Sequence, residues 1–158
     1  MTALASTRIT RLAGEDEARA CAEMMSTTEP WITLHRSHAQ SLALILDPTR
    51  EVYVARSGDA LVGFAILCMT GAFVGYVQSV CVLPAWRGRG LGSELMRFAE
   101  ERILRESPNV FLCVSSFNTE ARRLYLRLGY EPVGELRDYI VTGHSELLLR
   151  KTIGPISK

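Results

Sequence analysis

The chain contains no Gly-Lys-Ser or Gly-Lys-Thr triplet, which excludes a Walker A phosphate loop. Its four cysteines, Cys21, Cys68, Cys81 and Cys113, include no C-x-x-C pair. The three histidines, His35, His38 and His144, do not stand at metal-ligand spacing from them. Neither a metal site nor a disulfide framework is expected. Most of these cysteines sit in apolar runs, where a thiol serves as a small hydrophobe. No apolar run reaches the roughly 20 residues of a membrane-spanning helix. Residues 1–8 lack a basic region followed by an apolar one, so no signal peptide is expected and a cytoplasmic location is. No lysine- or arginine-rich run occurs and the net charge is only +1, which speaks against nucleic acid or a membrane surface as partner. What is there suits a globular enzyme or binding module. With 158 residues, 47% hydrophobic and 22% charged, a single domain spanning 1–158 with a real core is expected.

The most informative stretch runs from Val80 to Ser93. An apolar, β-branched run stops at Pro84, and Arg87-Gly88-Arg89-Gly90-Leu91-Gly92-Ser93 follows. From Leu91 the apolar positions change to helical spacing. The reading is strand, glycine-rich turn, helix start. A helix start exposes unpaired N–H groups and the positive end of the macrodipole. Here no Ser, Thr, Asp or Asn stands at the turn to cap them. Glycine admits a ligand close to the backbone, and two arginines add positive charge. Such a turn suits an anion, above all a pyrophosphate. The dinucleotide fingerprint G-x-G-x-x-G is missed by one residue, since Gly88, Gly90 and Gly92 give G-x-G-x-G.

Periodicity orders the rest. Ser6 to Leu12 reads as an opening strand. The acidic run Glu15-Asp16-Glu17 suits a helix start, Ala18, Cys21, Ala22 and Met25 share one face, and Pro30 ends the helix. The linker that follows carries Glu29 and an exposed-looking Trp31, and reads first as a connector whose Trp31 plugs the core. A second helix spans about Ser37 to Leu46. Three strands succeed it, Glu51–Ser57, Ala60–Cys68 and Phe73–Leu83, with Ser57-Gly58-Asp59 as a hairpin signal. A helix from Gly90 to Arg105 follows. The continuously apolar strand Val110–Val114 should pair in parallel with the strand before that helix. Asn118 caps the last helix, whose inward face is Ala121, Leu124, Tyr125 and Leu128. Tyr130–Val141 and Ser145–Arg150 close the chain as strands. The order is β-α-α-β-β-β-α-β-α-β-β, an α/β (α+β) fold with a mixed, mostly antiparallel sheet of about seven strands and four helices.

Arg87-x-x-Gly90-x-Gly92 resembles the acyl-CoA pyrophosphate loop of the GNAT superfamily of N-acyltransferases. The spaced residues Asn118, Ala121, Tyr125, Gly129 and Tyr130 are similar to that family's second motif, and the element order matches over about Arg8 to Arg150. Gly143-His144-Ser145-Glu146 adds a likeness to the branch that acetylates protein N-termini and ribosomal-protein alanine. The resemblance implies acetyl-CoA as co-substrate, without a metal, and a primary amine as acceptor, either a small molecule or a protein N-terminus. It further implies that Val80, Cys81 and Val82 present their backbone to the pantetheine arm, and that Arg87 to Ser93 hold the phosphates. Asn118 would bond the pantetheine, and Tyr125 would protonate the departing thiolate. A phenol with a pKa near about 10 stays protonated at neutral pH and can still donate.

The expected general base is where the pattern departs. Where some relatives carry a glutamate twelve residues before the tyrosine, this chain has Cys113; another position used by relatives falls near Tyr76. Glu29 or His144, acting through a water, are the remaining candidates for the acceptor side, with Trp31 beside Glu29. An α-amine with a pKa of about 8 is about 10% neutral at pH 7, whereas a lysine amine is less than about 0.1% neutral, so a weak base favours the α-amine. A covalent acyl-cysteine at Cys113 or Cys81 is the rival mechanism. The rival class is an acyl-CoA sensor or interaction module without turnover, which would have no need of Tyr125 as an acid. The chain is expected to act as a monomer or homodimer.

Overall fold

The computed structural model describes residues 6–157. Its elements run β1 (Thr7–Arg11), α1 (Glu15–Ser26), α2 (His38–Ile45), β2 (Arg50–Ser57), β3 (Ala60–Cys68) and β4 (Tyr76–Val82). Then come a single 3₁₀ turn at Pro84–Trp86, α3 (Leu91–Leu104), β5 (Asn109–Ser115), α4 (Thr119–Arg127), β6 (Glu131–Arg137) and β7 (Ser145–Thr152). The seven strands form one sheet in the order β1-β2-β3-β4-β5-β7-β6, antiparallel except for the β4–β5 pair. The expected order and sheet type hold. Alternation of side chains along the strands divides the core between two faces. Val52, Val54, Phe64, Ile66 and Cys81 pack with Ala18, Cys21, Met25 and Ile45 of α1 and α2. Leu67, Val77, Val110 and Leu112 pack on the other face with Met96, Ala99 and Ile103 of α3.

Three element ends differ from expectation, each for a local reason. α1 stops at Ser26 and does not run to Pro30. The Thr27 and Thr28 hydroxyls donate to the carbonyls of Glu23 at 2.7 Å and Met24 at 2.8 Å, closing the last turn. β4 begins at Tyr76 because Gly75 has φ +88°, outside the strand region. β6 ends at Arg137, where Asp138 turns left-handed at φ +52° and its carboxylate accepts the Gly143 N–H at 2.7 Å. α4 has no fully buried residue. Ala121, Leu124, Tyr125 and Leu128 are half-buried: Ala121, Tyr125 and Leu128 pack against the core as expected, while Ala121, Leu124 and Tyr125 also line a cleft.

That cleft arises from the sheet itself. β4 and β5 pair only at Tyr76–Phe111 and Val77–Leu112. Beyond these residues β5 follows β7, with which it pairs along its whole length from Asn109 to Ser115. β4 instead stays with β3, and the β3–β4 register shifts around Gln78. The two strands therefore part like a V.

Gly75 sits at the root of this V, where its carbonyl accepts the Phe111 N–H at 2.9 Å. A Cβ there would lie 2.6 Å from the Asn109 carbonyl oxygen and 2.5 Å from the Ile103 side chain. Gly75→Ala should lower stability by about 2–5 kcal/mol, combining left-handed backbone strain with overpacking. Gly58→Ala, at φ +59° with open space around it, should lose only the backbone part of that, about 1–2 kcal/mol. Denaturant midpoints of the two variants check the difference; equal losses would mean that Gly75 is not tightly packed.

Candidate active site

Two cavities open along the V. One, of about 510 Å³, lies against the glycine turn and the start of α3, with Arg87, Gly88, Gly90 and Ser93 in its wall. The other, of about 840 Å³, lies over the strands and reaches Tyr76, Cys113, Ser115 and Glu146. They share Pro30, Trp31, Val80, Asn118, Ala121 and Tyr125. The site is thus two chambers with a common wall.

The turn chamber has the character read from the sequence. Gly90 is the N-cap of α3 in the left-handed region at φ +85°, and no side chain among the described residues caps the helix. A Cβ at Gly88 or Gly90 would meet nothing within 4 Å. The space in front of the helix start is therefore open, and the first N–H groups of α3 face it unpaired. The Arg87 guanidinium lies across the mouth, donating long bonds of 3.4 Å to the carbonyls of Val82 and Glu29. Arg89 does not line the chamber; its guanidinium stacks over Trp86 at 4.8 Å. Gly92 packs towards Leu124 of α4, which a Cβ would approach to 3.3 Å.

Strand alternation decides which backbone groups of β4 face the opening. Leu83 donates its N–H to Val62 of β3 at 2.9 Å. Two residues earlier, Cys81 faces β3 as well, so Val80 and Val82 turn their N–H and C=O towards the side that β5 has left. The Cys81 side chain is fully buried among the α1–α2 core, and burial pushes its thiol up to about 12. Val80 and Val82 line the chambers; Cys81 does not.

Tyr125 and Asn118 both stand in the shared wall. Asn118 accepts the Ala121 N–H on Oδ1 at 3.3 Å, capping α4, while its amide NH₂ has no partner among the described residues. The half-buried Tyr125 ring lies 5.9 Å edge-on from Tyr130, and its hydroxyl has no hydrogen-bond partner among the described residues. Burial pushes this phenol up to about 12.

The residues expected on the acceptor side divide. Trp31 is 8% exposed and plugs the α1–α2 core, as the connector reading expects, with one edge in the shared wall. Glu29 lines the turn chamber and not the larger one, and its carboxylate already accepts from the Thr33 N–H and hydroxyl. His144 lines neither chamber; its ring packs edge-on against Phe117 at 4.7 Å. Sequence reasoning missed Glu146 as a site residue. It is 4% exposed, pairs across strands with Ser115, and accepts that hydroxyl at 2.6 Å. Burial raises its pKa, with the Ser115 hydrogen bond pulling the other way. A clue was present: an acid directly before an apolar run, Glu146-Leu147-Leu148-Leu149.

Comparison with known proteins identifies the family and the fold. The acetyltransferase (GNAT) family pattern matches residues 16–130. The chain belongs to the GNAT acetyltransferase family. It is 31% identical over 146 residues to the N-alpha-acetyltransferase RimI of Mycobacterium tuberculosis, covering 87% of this chain and 88% of that one. Its fold resembles the ribosomal-protein-S18-alanine N-acetyltransferase of Escherichia coli, with TM-score 0.74 at 18% identity, covering 97% of each chain. An aminoglycoside 6'-N-acetyltransferase complexed with coenzyme A superposes with TM-score 0.75 at 17% identity, over 96% of this chain and 99% of that one.

A carboxyl that is buried without a cation costs stability once it ionises. Since the folded-state pKa of Glu146 is raised, its favourable contribution is complete below the unfolded carboxylate value of about 4.3 and is lost as pH rises through the raised value. Glu146→Gln should therefore melt higher than the parent at pH 8, and the gap should close towards pH 4. A gap independent of pH would mean that the carboxyl titrates normally.

Proposed function

We propose that the protein transfers an acetyl group from acetyl-CoA to a primary amine by direct attack within a ternary complex. The observation that carries this reading is the meeting of the two chambers at Val80, Asn118 and Tyr125. One chamber suits the phosphates and pantetheine, the other an acceptor, and the thioester belongs at their junction. In this reading the α3 N–H groups with Gly88, Gly90, Leu91, Gly92 and Ser93 hold the pyrophosphate, and Arg87 screens its charge. The outward backbone of Val80 and Val82 pairs with the pantetheine arm as a missing strand would, and a backbone N–H there polarises the thioester carbonyl. Asn118 adds its free amide NH₂.

Attack of the neutral amine forms the N–C bond and breaks the C–S bond, with the electron pair leaving on sulfur. Tyr125 gives that sulfur its proton. A phenol pushed to about 12 remains protonated at any working pH, so the donor is always present. The desolvation that raises the phenol also disfavours a bare thiolate at the same spot. A covalent acyl-cysteine is less favoured: Cys81 faces the core, and burial raises the Cys113 thiol too.

Thiol release from acetyl-CoA, measured with N-terminal peptides, polyamines and small amines side by side, tests the reaction. Binding of acetyl-CoA without release for any amine would favour a sensor over an enzyme. Tyr125→Phe should lower turnover by about 10²–10⁴-fold with acetyl-CoA affinity little changed. Its melting temperature should barely move, because the hydroxyl leaves no partner unpaired. A thioester with a lower-pKa leaving thiol should recover much of the lost rate. Retention of parental turnover, with chemistry shown to limit the rate, would remove Tyr125 from the mechanism.

Arg87→Ala should weaken coenzyme A by roughly 10–100-fold while leaving phosphate-free pantetheine almost unaffected. Calorimetry with both ligands checks this, and equal losses would count against a phosphate role.

A further inference from the structure

The reaction as described lacks a group to take the proton that an ammonium must lose before its nitrogen can attack. Glu51 and Glu100 are held away from this role. Glu51 pairs with Arg102, and Glu100 lies close to Lys151 and accepts from the Tyr130 hydroxyl, outside both chambers. Glu29 is occupied by Thr33. Glu146 differs from all three. It is a carboxylate 4% exposed, in the wall of the larger chamber, with no cation within ion-pair distance among the described residues.

Neighbouring elements confirm that it lacks a counterion. From β5, Ser115 donates its hydroxyl to one carboxylate oxygen, and Cys113 offers a neutral thiol. From β4, Tyr76 offers a phenol that burial keeps protonated, and Tyr139 after β6 is a second phenol in the same wall. On β7 itself, Ser145 is spent on Glu135. Hydroxyls and a thiol surround the carboxylate; Arg36 and Arg50 stand in the same chamber wall, but neither is within ion-pair distance of it, and Arg50 is engaged by Gln78 and Asp47. A buried carboxylate in that state is incomplete, and an ammonium from the chamber would complete it.

We propose that Glu146 is the group that receives the acceptor amine: it binds the acceptor as its ammonium and removes the proton that frees the nitrogen to attack. This rests on the acetyl-transfer reading above and assigns the acceptor side a cationic primary amine. The ammonium gives one proton to Glu146. The neutral nitrogen then bonds to the acetyl carbon and the C–S pair leaves with sulfur. Tyr125 protonates the sulfur, and the second nitrogen proton makes good that loss through solvent. Glu146 releases its own proton when the product leaves, so one ammonium and one thioester give one amide, one thiol and one free proton. Cys113, two residues before Ser115 on β5, lines the same chamber wall and carries no carboxylate. The adjacent strand β7 supplies one here, across the Ser115–Glu146 pair.

The decisive variant is Glu146→Gln, which keeps the shape and can still accept from Ser115. With the most active amine of the panel, kcat at pH 7 should fall by about 10²–10⁴-fold while the affinity for acetyl-CoA stays unchanged. The pH profile separates a proton acceptor from a structural role. The parent should show an acidic limb set by a carboxyl and then a plateau. Glu146→Gln should lose that limb and rise tenfold per pH unit up to the pKa of the amine itself. Glu146→Asp should recover part of kcat and restore the limb. Parental kcat with an unaltered profile in Glu146→Gln would overturn the assignment, and so would a uniform loss whose profile keeps the parental limb.

Failure of the acetyl-transfer reading has a different signature, no thiol release by the parent with any amine. Glu146 is then read by calorimetry, with n-butylammonium titrated into protein saturated with coenzyme A. The parent should bind this probe at least tenfold more tightly than Glu146→Gln, and equal affinities would overturn the proposal. If Glu146→Gln does not fold, Glu146→Asp carries the same comparisons: a weakened but carboxyl-dependent profile supports the proposal, and parental values with a carboxyl-independent profile overturn it.

Discussion

Everything in this site depends on a strand pairing that stops early. β4 and β5 share two residue pairs and then separate, each held by its other neighbour. A buried strand edge is costly, because each unpaired N–H and C=O forfeits a hydrogen bond. A cleft is the stable way to leave it open, since water or an extended ligand can take the place of the missing strand. α4 packs on this divided sheet through Ala121, Tyr125 and Leu128, and none of its residues is fully buried; Tyr125 and Asn118 border the cavity as well.

The start of α3 must be fixed relative to that edge if it is to serve one ligand. Packing does part of this through Leu91, Leu95, Met96 and Ile103, all buried. Charged contacts along the same helix do the rest. Arg102 donates from Nε and a terminal nitrogen to both oxygens of Glu51 on β2, at 2.8 and 2.7 Å. Glu94 accepts from Thr7 on β1 at 2.6 Å, and Glu100 accepts from Lys151 on β7. These partners stand on both sides of the opening, β1 and β2 on one and β7 on the other. α3 therefore braces the two halves of the sheet where they no longer brace each other. A paired, half-buried bidentate contact of this kind adds geometry as much as energy.

Local chemistry was legible in the sequence, and long-range register was not. The uncapped turn could be read because glycine spacing, absent caps and the change of period all fall within a few residues. Asn118 as a cap and the parallel β4–β5 pairing followed from equally local rules. The V could not be read, since it depends on a register shift at Gln78 and on β5 preferring β7. Nor could Glu146, whose role comes from facing Ser115 across 31 positions of chain. Trp31 shows how far composition reaches: a linker tryptophan is expected to plug the core, and it does so between α1 and α2. Cys113 marked in sequence only where a carboxylate was missing.

A buried carboxylate also changes which acceptors are accessible. Without a base, an amine must reach the thioester already neutral, which costs an amine of pKa about 10.4 roughly 4–5 kcal/mol at pH 7 and an α-amine only about 1–1.5 kcal/mol. With Glu146 in the wall, the amine arrives charged and is drawn in by that charge. The proton is then handed over inside the cavity, where desolvation weakens both members of the pair. Burial raises the carboxyl and lowers the ammonium, so the two pKa values approach each other and the transfer loses most of its uphill character. The handicap therefore depends on how dry the chamber is when both substrates are bound. Selection between α-amines and more basic amines then rests less on acceptor pKa than on how far an acceptor fills the space between Glu146 and Tyr125 and expels water from it.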